Sequence, residues 1–324
     1  MPHALSIVIP SHSRPDLLQA CLDTVRRHAP NDTEVIVVDD GSTGAKVSQV
    51  AAAFDRMRVI RLPKQRGFCV AANAGIKQAG GGIIELLNDD TEVTAGWADA
   101  AQACFADPQV AAVAPLVLRR PKTETAQPKI DSAGDRYYLG GIAGKRGHGE
   151  ALQAQYLQPC RVFGASASSA FYRREVLLRV GAFPEFFQSY FEDVDLAFRI
   201  HRAGYHIQFE PRSRVYHHVA SSHGNPRRVL LERQSLNEER VFWRNVCGPT
   251  LRDALPRHLL VLAGKSWKRC REGGLIPFVC GRLRLLGELA QLRAHHCWLQ
   301  TLGPGANLES WLVERHFWAG PDLR

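Results

Sequence analysis

The first half of this chain alternates short apolar runs with amphipathic ones, and that rhythm limits the fold more than any other feature. Leu5 to Ile9 reads as a strand, and Leu17, Leu18, Cys21, Leu22 and Val25 follow at helical spacing. Ser13 is the expected N-cap, and Pro15 suits the first turn. Further strands are expected at Val35 to Val38, Val59 to Leu62, Ile83 to Leu87 and Val110 to Val113. Helices are expected at Lys46 to Phe54, Phe68 to Ala79 and Trp97 to Phe105. Strands that alternate with helices imply an α/β fold: a mostly parallel central sheet with helices on both faces.

Beyond Arg119 the rhythm stops, and the stretch to Pro159 reads as one long irregular loop. Order returns with a strand at Ala170 to Tyr172 and helices at Arg174 to Val180 and Val194 to Ala203. Two short strands follow, Ile207 to Phe209 and Val215 to His217. After Pro226 the pattern is helical with interruptions. The expected division is a catalytic domain over residues 1–224 and a helical extension over 225–324.

Charge divides along the same line. Residues 1–200 hold 22 Lys and Arg against 22 Asp and Glu, while residues 201–324 hold 19 against 10. The net charge of +9 therefore resides in the last third. A polyanionic neighbour or a solvated basic surface both account for it. Leu283, Leu286, Leu289 and Leu292 alternate with Arg282, Arg284 and Arg293. That segment suits either a peripheral membrane contact or a helix packed on the catalytic domain. No run of eighteen apolar residues exists, and a strand begins at Leu5, so neither a membrane span nor a signal peptide is expected. The eight cysteines are scattered without CxxC spacing, which fits a cytoplasmic protein. No nucleic-acid-binding motif is present, and no nucleic acid partner is expected.

Acids gather where ligands bind in such folds. Asp39-Asp40 ends the second strand, and Asn88-Asp89-Asp90 ends the fourth. Strand ends open onto the crevice of a doubly wound sheet. A carboxylate there accepts hydrogen bonds from a nucleoside, or it closes a turn. Adjacent carboxylates repel unless donors or a hard cation neutralise them. Arg66-Gly67 precedes a helix whose N-terminus attracts phosphate. Glu192-Asp193-Val194-Asp195 opens another helix with more acid than capping requires, so one member is a candidate general base. His217 could add a nitrogen ligand to the same ion. There is no GxGxxG and no GxxxxGK[ST], which argues against a dinucleotide oxidoreductase and a P-loop NTPase.

Taken together these segments resemble the family 2 glycosyltransferases of the GT-A fold, and within them the bacterial rhamnosyltransferase-like members. The likeness runs over about residues 4–222. It rests on SIVIPSHSR, VIVVDDGSTG, RGFCVAANAGI, IIELLNDDTEV, IDSAG, the stretch from VFGASASSAF to FEDVDLAFRIHRAGY, and PRSRVYHH, in that order. The resemblance implies that Asp40, with Pro10 and Ser11, holds the base and ribose of a nucleotide sugar, and that Asp39 supports the turn. It places Asn88-Asp89-Asp90 at the DxD position, with Asp90 and His217 on a Mn2+ or Mg2+ ion. It makes Asp193 the base, puts Glu192 beside the acceptor hydroxyl, and sets the Gly164-Ala165-Ser166 loop against the sugars. The implied reaction is an inverting transfer from a UDP- or dTDP-sugar donor to a glycan or lipid-linked glycan acceptor. Three positions depart from the pattern: Asn88 at the first DxD place, Phe183-Pro184-Glu185 without its usual acid, and Val219 to Ser222 where glycines are common. A sugar nucleotidyltransferase competes, but it wants a glycine-rich basic loop, and Pro10 to Pro15 has no glycine and one Arg. An inactive sugar-nucleotide-binding relative is the other alternative, against which Asp193 stands.

Overall fold

The computed structural model describes residues 4–121, 127–219, 227–303 and 313–314. Strand β1 (Leu5–Ser11) leads to α1 (Pro15–His28), β2 (Glu34–Asp39), α2 (Lys46–Ala52), β3 (Met57–Arg61) and α3 (Phe68–Gln78). Then come β4 (Ile83–Leu87), β5 (Thr91–Val93), α4 (Trp97–Cys104) and β6 (Val110–Arg119). The apolar runs of β1, β2, β4 and β6 are buried on both faces, as the flanking helices require, whereas β3 at the sheet edge is only half-buried. Helix α1 buries Leu18, Cys21, Leu22 and Val25 and leaves Leu17 half exposed. Ser13 does not cap it. Its backbone has φ +56°, its N–H donates to Ser42 Oγ at 2.9 Å, and Arg14 takes the flanking place.

The expected long loop is largely a set of short strands. These are β7 (Ile130–Ser132), β8 (Asp135–Tyr138), β9 (Ile142–Lys145) and β10 (Cys160–Val162). β8 and β9 form a hairpin across Leu139-Gly140-Gly141. Gly141 sits at φ +89°, and an added Cβ would stand 2.7 Å from the His258 ring. Three-residue strands carry too little periodicity to be read from a sequence. β11 (Ser169–Arg173), α5 (Arg174–Arg179) and α6 (Glu192–Arg202) follow.

The two short strands expected after α6 are one, β12 (His206–His217), with a register shift between Glu210 and Arg214. Pro211 sits in that shift, where its missing N–H leaves no ladder bond unmade.

The sheet order is β10-β12-β6-β11-β4-β1-β2-β3. β1 runs parallel to β2 and β4, and β2 to β3. β11 is antiparallel to both β4 and β6, so β6 points the same way as β4. β12 is parallel to β6. The carboxyl ends of β1, β2, β4 and β12 therefore share one edge of the sheet, although residues 11 and 217 are far apart in sequence. At that edge β5 pairs with the end of β12, His217 opposite Thr91, and β7 pairs with the end of β6.

The last third is helical: α7 (Arg227–Asn245), α8 (Pro249–Arg271), α9 (Leu275–Arg284) and α10 (Leu289–Leu302), with β13 (Val313–Glu314) beside β8. A tight turn over Leu285–Glu288 divides the segment expected to be one helix. Val241 and Phe242 of α7, and Val246 just after it, join the same core as β4, β6 and α6. Asp195, the third acid of its cluster, fastens the two regions. It lies fully buried between Arg199 Nε at 2.9 Å, Arg244 Nε at 2.8 Å and Asn245 Nδ2 at 3.0 Å. Burial opposes its charge, but the two guanidiniums outweigh burial and hold its carboxyl far below the usual range.

Candidate active site

The sheet edge opens into a cavity of about 550 Å³. Its walls include Pro10 of β1, Asn88 after β4, Ser166 to Ser168, Glu192 and Asp193 of α6, and His217 of β12. Segments from five separate parts of the chain thus meet in one place.

Asp40 is not among the residues lining this cavity and is engaged with backbone. Its Oδ1 accepts from Arg66 N at 2.7 Å and its Oδ2 from Gly67 N at 2.8 Å. Gly67 adopts φ +94° against the Gln188 backbone, so a side chain there is strained. Asp39 closes its own turn, accepting from Ser42 N at 2.8 Å and Ser48 Oγ at 2.5 Å. Burial pushes its pKa up, and these donors more than offset it, leaving the carboxyl below its ordinary value. Gly164 is buried against Asp135 and Ala197 and does not line the cavity, whereas Ser166 of the same loop does.

Asp89 and Asp90 are both buried. Asp89 accepts from Ser11 Oγ at 2.6 Å and from the Arg14 guanidinium. Burial lifts its pKa to about 6 against the pull of Arg14 and Ser11. Asp90 lies 3.4 Å from Arg14 Nη1 through one oxygen and 3.1 Å from His217 Nε2 through the other. The opposite ring nitrogen, His217 Nδ1, is 3.2 Å from Asp131 Oδ2. Asp131 also takes Lys145 Nζ at 2.9 Å. Burial disfavours charge on His217, but Asp131 and Asp90 outweigh it and raise the imidazole to about 9. Burial likewise opposes ionisation of Asp131, and the His217 and Lys145 contacts carry its carboxyl well below the usual range.

Asp131, Lys145, His148 and Arg14 escaped the sequence reading as site residues. Lys145, His148 and Arg14 line the cavity. Arg14 and Asp131 were within the segments SIVIPSHSR and IDSAG, and that was the available signal.

Among the described residues, no set of three or more His, Cys, Asp or Glu side chains is arranged to hold a metal ion. Asp90 and His217 offer two donors 3.1 Å apart. Neighbouring ligands of a six-coordinate ion, each about 2.1 Å from it, stand about 3 Å apart at a right angle. As they stand the two atoms form a hydrogen-bonded pair; with the imidazole deprotonated, the same Nε2 and Oδ1 would be the residues' donors to a divalent ion. Asp131, 3.2 Å from His217 Nδ1, would orient the ring if Nε2 held an ion.

On the other wall, Asp193 Oδ2 accepts from Ala167 N at 3.1 Å and Oδ1 from Val194 N at 2.9 Å. These bonds hold the carboxylate plane toward the cavity that Asp193 lines. The chain reaches α6 through a contorted loop. Gln188, Tyr190 and Phe191 adopt φ +60°, +75° and +69°. Asn237 of α7 spans that loop, its Nδ2 lying 2.9 to 3.0 Å from the carbonyls of Phe187, Ser189 and Tyr190. A strained backbone persists where its surroundings over-determine it, commonly at functional sites.

Comparison with known proteins agrees with this architecture. A model of the family described as glycosyl transferase family 2 matches residues 6–181. An uncharacterised protein of Sinorhizobium fredii is 29% identical over 289 residues, covering 81% of this chain and 30% of that protein. The N-acetylglucosaminyl-diphospho-decaprenol L-rhamnosyltransferase of Mycobacterium tuberculosis is 26% identical over 304 residues, covering 85% of this chain and 99% of that enzyme. The chain spans less than half the length of several other curated relatives. A mannosyltransferase of Pyrobaculum calidifontis, solved with GDP-mannose and Mn2+, shares the fold. Its TM-score is 0.54 at 19% identity, over 96% of this chain and 84% of that one. The family match covers more than half of the chain and takes in the ends of β1 and β4 on which the cavity is built, and the chain belongs to glycosyl transferase family 2.

Proposed function

We propose that this protein transfers a sugar, with inversion, from a UDP- or dTDP-linked donor to a hydroxyl of a glycan or lipid-linked glycan. The observation that carries the reading is the convergence of Asp193 and Glu192 with Asn88 and His217 on one cavity. A carboxylate facing Asn88, Arg14 and Lys145 across the cavity supports a base set against the donor's diphosphate. The relatives support it: one transfers rhamnose to a diphospho-decaprenol-linked sugar, and a structural neighbour was solved with a nucleotide sugar.

Asp193 accepts the proton of the attacking hydroxyl, and its two backbone donors keep its oxygens oriented for that transfer. Glu192 lies beside the acceptor. Asn88, Arg14 and Lys145 face the donor side, where the two cations complement phosphate charge. Asp90 and His217 would hold a divalent ion, Mn2+ or Mg2+, which when bound supplies electrophilic stabilisation of the leaving diphosphate. Asp131 keeps the His217 ring in place. Asp39 and Asp40 fix the loops after β2 and before α3, and so shape the nucleoside end.

The test is Asp193→Asn. Transfer should fall by roughly 10²-fold or more, while UDP or dTDP still raises the melting temperature in the presence of Mn2+. Near-normal turnover removes Asp193 from this role. Retention of the donor's anomeric configuration in the product refutes the single displacement.

A further inference from the structure

Large apolar side chains are exposed mainly in one place. Leu259, Leu260 and Trp267 project from α8, and Ile276, Val279 and Leu283 from α9, each 39% to 67% exposed. Leu286 and Leu289 continue the line toward α10. Among the described residues, eight of the thirteen large apolar side chains that are exposed lie between 259 and 289.

The spacing shows that they form faces. Helix α8 turns Ala254, His258 and Val261 inward, and α9 turns Pro277, Phe278 and Gly281 inward. Positions 276, 279, 283 and 286 then form one outward stripe, and 260, 263 and 267 another. α8 packs on α9. Exposed apolar stripes on two helices that pack together are a candidate contact site.

Charge discriminates between occupants. Residues 227–303 hold fourteen Lys and Arg against six Asp and Glu. Arg282 is consumed inside by Glu238 and Glu239. Arg252 and Arg271 of α8 and Arg293 of α10 are exposed, as are Lys268 and Arg284, which reach Glu272 at 4.0 Å and Glu232 at 2.7 Å, and the Arg271 guanidinium lies 4.9 Å from the Trp267 ring. Two copies meeting through this face would bring like charge together. An anionic lipid surface complements the cations and takes up the apolar side chains as well. No helix among the described residues is long and apolar enough to cross a membrane.

The same helices wall the cavity. Lys265 and Arg269 of α8 and Phe278 of α9 line it. We propose that the outward faces of α8 and α9, continued by Leu286 and Leu289, seat this protein on an anionic bilayer. The helices that wall the cavity then lie against the headgroups, where a lipid-linked acceptor would be presented.

The experiment is sedimentation of the full chain with vesicles of phosphatidylcholine alone or mixed with phosphatidylglycerol. The protein should partition roughly tenfold more strongly onto the mixed vesicles, and salt should weaken the binding. A Leu260→Glu, Ile276→Glu, Leu283→Glu variant changes only exposed positions, and circular dichroism confirms its fold. It should lose roughly tenfold or more of that partition. A chain that stays in the supernatant, or a variant that binds as well as the parent, overturns the proposal. So does a concentration-dependent dimer in analytical ultracentrifugation that the variant abolishes, since that assigns the face to a second copy. Nucleotide binding is read separately by thermal shift, so failure of the transferase reading leaves this result standing, and the converse holds.

Discussion

Asp131 of β7 holds the His217 ring from behind, Oδ2 to Nδ1 at 3.2 Å, and leaves Nε2 directed at Asp90. The two residues are 86 positions apart in sequence. They meet because β7 and β12 both pair with β6. Asp131 is itself neutralised by Lys145, so the group set behind the imidazole is a buried ion pair rather than a bare carboxylate.

If His217 serves as a ligand, its partner should matter nearly as much. Asp131→Asn should weaken Mn2+ binding in the presence of UDP by about 10- to 100-fold, as loss of outer partners of metal ligands generally does. Isothermal titration of Mn2+ into the UDP complex checks it. An unchanged affinity would remove the His217–Asp131 pair from the metal site.

Asn237 bridges three carbonyls of the loop before Glu192 and Asp193. In Asn237→Ala those acceptors lose a buried donor at a cost of about 1–3 kcal/mol, and the backbone at Gln188 to Phe191 has less to hold it. The expected signature is a lower kcat with little change in donor KM, together with faster amide exchange confined to residues 188–193. Uniformly faster exchange across α6 and α7 would instead mean a general loss of packing.

Glu85 sits fully buried on β4, accepting from Trp97 Nε1 at 3.1 Å and Ser169 Oγ at 3.0 Å. Burial raises its pKa to about 8 against those two donors. The folded state thus keeps a proton that the unfolded chain gives up near 4.5. Its contribution is complete below that value and is lost as pH rises toward 8, at roughly 1.4 kcal/mol per unit. Glu85→Gln keeps an acceptor for both donors and has no charge to bury. Urea unfolding should show the variant gaining on the parent between pH 5 and pH 8. Parallel stability profiles would refute this account of Glu85.

What the sequence exposed follows from what leaves a periodic trace. β1 to β4 and the helices between them are long enough for apolar alternation to register, and Asp193 stood out because acids crowd a helix start. Pairing across the sheet leaves no such trace. Asp195 looked like its neighbours in the chain, yet it lies between Arg199 and Arg244 and fastens α6 to α7. Ser13 had the composition of a cap and lacks the geometry of one, because Ser42 holds its backbone. The stretch after Arg119 looked irregular because its strands run only three or four residues and are held by neighbours distant in sequence.

The sequence by itself determined the layers of this protein, since local periodicity decides which residues can be buried in a strand or on one helix face. It also marked the acids that end β2 and β4 and begin α6. Which of those acids share a cavity, which are spent on buried arginines or backbone amides, and that Asp131 belongs with His217, only the tertiary structure decided. Those outcomes depend on strand order and direction, which bring the carboxyl ends of β4 and β12 to one edge through contacts between residues more than a hundred positions apart.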